Sequence, residues 1–145
     1  MSRTTLFSTA QAAIDGHNTW TPESIFSYRA PNCIHYILPS SLNRPPLNNE
    51  QYAAYFVPVM PAFKDFHMTA RDIVVDETAR KVVMHAFSTA STALGPYENE
   101  YTLILHMSED GRKVEKFYEF VDSAYSVDYM ARLRDSIVNQ QKGAA

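Results

Sequence analysis

The chain has 145 residues, 46% of them hydrophobic and 12% aromatic, and a net charge of -3. That length suits one domain, residues 1–145, built on a single core, and the composition excludes a disordered chain. The mild acidity, with no basic run beyond Arg80-Lys81, argues against nucleic-acid binding, and no apolar stretch approaches the roughly 20 residues that span a bilayer.

The opening MSRTTLFSTAQAAIDG holds no apolar core of signal-peptide length. Leu6, Ala10, Ala13 and Ile14 share one face of a helix predicted over residues 4–15, with Gly16 as its stop. Thr21-Pro22-Glu23 reads as a helix start: a capping hydroxyl, a proline at the first helical position, then an acid at the positive end of the dipole. That helix is short and ends near Tyr28-Arg29. Residues 32–38 read as a strand stopped by Pro39, and SSLNRPPLNN reads as a loop. A helix follows from Asn49, with Tyr52, Tyr55 and Phe56 on one face and Pro58 and Pro61 limiting it.

The pattern then changes to strands over residues 67–76, 81–92, 97–107 and 113–123, joined by the turn-like DETAR, ALGP and SEDGR. Long consecutive strands with short connections imply an antiparallel meander. A last helix is predicted over residues 126–141, capped by Ser126, with Met130, Leu133, Ile137 and Val138 as its apolar stripe; residues 140–145 read as a frayed tail. Helices, then a long sheet, then one helix is an α+β order, with helices packed on one face of the sheet.

Alternation along PYENEYTLILH assigns the faces of its strand. Tyr97, Asn99, Tyr101, Leu103, Leu105 and Met107 fall on one side, and Glu98, Glu100, Thr102, Ile104 and His106 on the other. The first set becomes purely apolar toward its end. It is therefore the inner face, with polar groups at the open end of a pocket. In KVEKFYEFVDS both faces are mixed. A carboxyl such as Glu119, flanked by Phe117, Tyr118, Phe120 and Val121, suits proton transfer near neutral pH if it is buried; the plainer reading pairs it with a cation on the outside. Arg29 reads either as a planar fork for a carboxylate or carbonyl oxygen or as a surface cation near a helix end. His35 and His85 sit in apolar strands, where a satisfied core histidine is the commoner case.

Asp65, His67 and Asp72 form no recognised metal motif, so no metal is expected. The absence of a P-loop, a dinucleotide fingerprint and a G-x-S-x-G motif leaves cofactor chemistry unsupported. The one cysteine, Cys33, can form no internal disulfide and fits a reducing, cytoplasmic setting. Nine tyrosines against one tryptophan suit a pocket or an interface, because a tyrosine offers apolar area with a polar tip.

The stretches YRAPNCIHYILPSSLNRPPLNNEQYAAYF, GPYENEY and FYEFVDS, with their spacing, resemble the SnoaL-like group of the nuclear transport factor 2-like superfamily. Within it they are most similar to fungal secondary-metabolite isomerases, namely the meroterpenoid D-ring isomerases of terretonin- and austinol-type pathways and the brevianamide semipinacolase. The resemblance implies a cone-shaped α+β fold, a homodimer packed through its sheets, and acid/base catalysis on a polycyclic substrate without a cofactor. Carried over by motif, Glu119, Arg29, Tyr101 and Tyr97 are the catalytic candidates. His35, Asp122, Asn99, Leu103, Leu105 and Phe117 are the substrate-binding ones, with Phe87 as a further wall. A dehydratase or cyclase using the same residues, and a non-catalytic ligand- or protein-binding module, remain the alternatives.

Overall fold

The computed structural model describes residues 2–143. Its elements are α1 (Arg3–Thr19), α2 (Pro22–Phe26), β1 (Arg29–Leu38), β2 (Leu47–Asn48), α3 (Asn49–Phe56), β3 (Lys64–Asp76), β4 (Lys81–Thr92), β5 (Gly95–Met107), β6 (Val114–Val121) and α4 (Ser123–Gly143). Short 3-10 turns at Ser40–Leu42 and Val57–Ala62 complete the chain, the second carrying Pro58 and Pro61 just beyond the end of α3.

The six strands form one sheet in the order β2-β1-β6-β5-β4-β3. The meander from β3 to β6 is antiparallel, as its short turns require. β1 joins it parallel to β6, so the whole sheet is mixed. That pairing sets His35 level with Phe117 and Ile37 level with Glu119. Register shifts interrupt β3 against β4 and β5 against β6, and bulges of this kind increase the bend and twist of a sheet.

The inner face of β5 is buried from Tyr97 to Met107 at every second residue, while Glu98, Glu100 and Thr102 are exposed. α1 lies against this inner face, where Leu6, Ala10, Ala13 and Ile14 join Val82, Met84, Leu103 and Leu105 in the main core.

Two predicted helix ends are corrected. Gly16 does not stop α1, which continues to Thr19 and ends at Trp20 in the left-handed region. Glycine is required at position 16 because a Cβ there would stand 2.4 Å from the Ser24 carbonyl oxygen; it permits a close approach to α2. Ser126 does not cap α4. Asp122 does, its Oδ1 accepting from the Tyr125 backbone N–H at 3.3 Å, while Ser126 is buried one turn further on. Residues 140–143, read as tail, belong to α4; Ala144 and Ala145 lie outside the described residues. The expected Thr21 cap of α2 is present, as a reciprocal capping box with Ser24, and α3 opens on a second such box, Asn48 with Gln51.

Candidate active site

Between the sheet's inner face and the helices lies a cavity enclosing about 890 Å³, its open mouth included. Strand residues Tyr97, Asn99, Tyr101, Leu103, Phe117 and Glu119 form one wall. His17 from α1 and Trp20 just past its end, Tyr52, Tyr55 and Phe56 from α3, and Ser126, Val127 and Met130 from α4 form the others. Leu103 and Phe117 are almost fully buried, whereas Val127 is exposed and Arg44 and Tyr55 are half-buried, so the mouth lies between α4 and the loop before α3. A concave, largely aromatic chamber with a few convergent polar groups is the usual form of a small-molecule site.

The polar groups follow from strand alternation. Glu119 projects inward between Phe117 and Val121, and its side chain retains 18% exposure. His35 projects from β1 on the same face, two residues out of step, which brings its Nε2 to 2.5 Å from Glu119 Oε1. Behind it, Arg29 Nη2 stands 2.9 Å from His35 Nδ1. A guanidinium only donates, so Nδ1 must accept and the ring's hydrogen must lie on Nε2, where it is donated to the Glu119 carboxylate. Burial lowers the His35 pKa to about 4 against the raising influence of Glu119, with Arg29 adding to the depression, so the ring is neutral at pH 7.

Aromatic rings hold this chain in place. His35 is sandwiched between Tyr52 at 4.0 Å and Phe117 at 4.6 Å, both nearly parallel to it. The Arg29 guanidinium lies 4.6 Å from the Tyr52 centroid and 4.9 Å from that of Phe117, and its Nε donates to the Ile25 carbonyl. Among the described residues Arg29 makes no direct ion pair; Glu119, one imidazole away, is the anion that balances it.

A second polar cluster comes from β4 and β5. Tyr101 and Ser88 share a hydrogen bond of 2.7 Å, and the Tyr97 and Tyr101 hydroxyls are 3.4 Å apart. Asn99 Oδ1 accepts from the Glu100 backbone N–H, which turns its Nδ2 to donate to Tyr97 at 2.8 Å. Tyr97 is thereby left free to donate its own proton. Burial raises the pKa of Tyr97, and that of Tyr101 well above its usual value, so both remain phenols and hydrogen-bond donors. Among the described residues no group of three His, Cys, Asp or Glu side chains is placed to hold a metal ion.

No protein-family model matches the chain. It is 42% identical over 107 residues to austinoid biosynthesis clusters protein H of Penicillium brasilianum, covering 71% of this chain and 73% of that one. Austinoid biosynthesis clusters protein F of Emericella nidulans is 35% identical over 135 residues, covering 91% and 76%. The BvnE pinacolase of Penicillium brevicompactum superposes with a TM-score of 0.86 at 36% identity, covering 90% of this chain and 91% of that one. The chain belongs to the family of the austinoid biosynthesis cluster proteins. A SnoaL-like polyketide cyclase from Jannaschia, at 12% identity and a TM-score of 0.70, shares the fold alone.

The cavity of this chain gathers most of the residues its motifs suggested. Glu119, Tyr97, Tyr101, Asn99, Leu103 and Phe117 line it, and His35 touches it through Glu119. Four others lie elsewhere. Arg29 is neither a surface cation nor an oxyanion clamp: it is 4% exposed, begins β1, and is separated from the cavity by His35. Leu105 lies deeper, in the core against α1, because the cavity ends at the level of Leu103. Asp122 is exposed and caps α4. Phe87 points to the outer face with Arg71 over its ring at 3.8 Å, since alternation along β4 places Ala86 and Ser88 inside. His85 is also on the outer face, paired with Glu100 at 2.6 Å.

Among the site residues that the sequence did not single out are Tyr52, Ser88 and His17. The helical spacing places Tyr52 on one face with Tyr55 and Phe56 and goes no further; only the tertiary fold shows it stacked on His35. Ser88 carries no local signal. His17 follows the supposed stop at Gly16, yet spacing of four from Ala13 and three from Ile14 would have placed it on the same buried face.

Proposed function

We propose that this chain is a cofactor-independent isomerase that rearranges the carbon skeleton of a polycyclic fungal metabolite, a meroterpenoid being the favoured class. The observation that carries this reading is the Glu119 carboxylate, set in an aromatic chamber with the His35 N–H fixed behind it and two phenol donors on the same cavity wall. The names of the similar proteins, austinoid cluster proteins and a pinacolase, support the substrate class and a rearrangement.

In the reaction we envisage, Glu119 takes the proton of a substrate hydroxyl, whose oxygen becomes a carbonyl as an adjacent carbon–carbon bond migrates. The migrating pair adds to a neighbouring carbonyl carbon, whose oxygen becomes an alkoxide. Tyr97 and Tyr101 stabilise that charge by hydrogen bonds, and the proton held by Glu119 completes the product, so mass is conserved. His35 holds the carboxylate by hydrogen bonding, and Arg29 holds His35; neither needs to touch the substrate. The aromatic walls limit the entry of water that would trap a charged intermediate. A homodimer through the outer face of the sheet, where Tyr36 stacks on Tyr118 and Phe120 is exposed, belongs to the same proposal.

The test is a mass-resolved assay on late meroterpenoid lactone and ketol intermediates, with chelator present and no cofactor added. The expected result is a product of unchanged mass. A product lighter by one water would favour a dehydratase, and no conversion of any compound would favour a binding role.

A further inference from the structure

The cavity wall holds a second imidazole that the reaction above does not use. His17 sits in the last turn of α1, only 6% exposed, among Tyr28, Phe66 and Phe117. Its Nδ1 is 2.9 Å from the Ala13 carbonyl oxygen. A carbonyl only accepts, so Nδ1 carries the ring's hydrogen and Nε2 presents a bare lone pair. Burial lowers the ring's pKa to about 4, against the raising effect of the Ala13 hydrogen bond and with the Arg29 charge adding to the depression, so the neutral form persists at pH 7.

Nε2 makes no hydrogen bond to the described residues. It is not sealed either: among them the sole sealed side-chain polar atom without a partner is Asn49 Oδ1. The open space beside the ring is the cavity, which His17 lines together with Trp20, Phe66, Met68 and Phe117. The site's other polar groups differ from it. Tyr97 and Tyr101 are donors, the Glu119 carboxylate already holds the His35 N–H, and Asn99 Oδ1 is taken by a backbone N–H. His17 Nε2 is a neutral, oriented acceptor that lacks a donor, inside a region where an unmet polar group is costly.

We propose that His17 Nε2 accepts a hydrogen bond from a hydroxyl group of the bound ligand, so that the cavity selects a polycyclic alcohol over the corresponding ketone and fixes its orientation. This makes His17 a positioning and specificity residue. A ketone oxygen in the same place would face lone pair against lone pair and leave Nε2 unmet, and sites built around a hydroxyl discriminate strongly for that reason. The term substrate rests on the isomerase reading; the hydroxyl preference does not.

The probes are 2-decalol and 2-decalone, two fused-ring compounds that differ in the hydroxyl. Binding is measured by calorimetry to the wild-type chain, to His17→Phe, which keeps an aromatic ring, and to His17→Gln, which restores an acceptor. Wild type is expected to bind the alcohol about tenfold more tightly than the ketone. His17→Phe is expected to abolish that preference and His17→Gln to recover part of it. Nitrogen-15 spectra of the wild-type ring provide a measure that needs no variant: Nε2 is expected to be unprotonated, and to shift on addition of decalol but not of decalone. Equal binding of the two probes, no binding of decalol, a preference that survives in His17→Phe, or a hydrogen found on Nε2 would each overturn the proposal. None of these readouts requires turnover, so failure of the isomerase reading would show separately, in the lactone assay.

Discussion

Arg29 donates to His35 across 2.9 Å within a single strand, six residues apart, and so decides which nitrogen of that ring carries hydrogen. The consequence is felt at Glu119, which receives the Nε2–H at 2.5 Å. Replacing Arg29 by Gln frees the tautomer and removes the charge that balances Glu119. The expected outcome is a fall in kcat of about 10²-fold with a much smaller change in KM, since the side chain does not reach the cavity. Nitrogen-15 spectra of His35 should show the loss of a fixed Nε2–H form. A purely structural arginine would leave the tautomer unchanged. Lysine should rescue poorly, because it cannot stack a plane over Tyr52 and Phe117.

The two phenols of β5 act on the same reacting oxygen in this account. Tyr97→Phe and Tyr101→Phe are each expected to lower kcat by about tenfold to 10²-fold, with the fold intact. Their hydroxyls are 3.4 Å apart, so the double variant should lose less than the product of the two single losses. Full multiplicativity, read from a double-mutant cycle on kcat, would show that the hydroxyls work independently.

Acid should destabilise the chain before most carboxylates titrate. His17 and His35 each fall from 6.5 to about 4 on folding. Between those values the unfolded chain binds more protons than the folded one, so stability is fully present above pH 6.5 and declines as pH drops toward 4. Each ring contributes about 3 kcal/mol across that window. The urea midpoint is expected to fall between pH 7.5 and 5, and His17→Phe should remove about half of the fall. A midpoint that stays flat over this range would contradict the burial of both neutral rings.

Period-two alternation made the wall of the cavity legible: every inward residue of β5 was assigned to the correct face, because one face of that strand becomes wholly apolar. β6 was not legible in this way, since Lys116, Tyr118 and Phe120 face outward with apolar bulk, Glu119 faces inward with charge, and a register shift at Glu115 turns Val114 into the core. The link from Arg29 through His35 to Glu119 spans 84 residues at its second bond and depends on the parallel pairing of β1 with β6, which no local pattern announces. Motif resemblance named all three residues but assigned Arg29 to the substrate, because a buried guanidinium and one at the surface look alike in a sequence. At Gly16, the residue type pointed to a helix end, while tight packing on Ser24 was the actual reason for glycine.

The most direct test of the central claim is the turnover of Glu119→Gln, measured alongside its folding. Glutamine keeps the shape of the side chain and still accepts from His35 Nε2–H, but it cannot take a proton. A loss in kcat of about 10²-fold or more is expected on whichever lactone or ketol the wild type isomerises, with KM and the urea midpoint close to wild type. Turnover equal to that of the wild type, in a variant that folds normally, would show that Glu119 moves no proton and that the reaction runs on other groups.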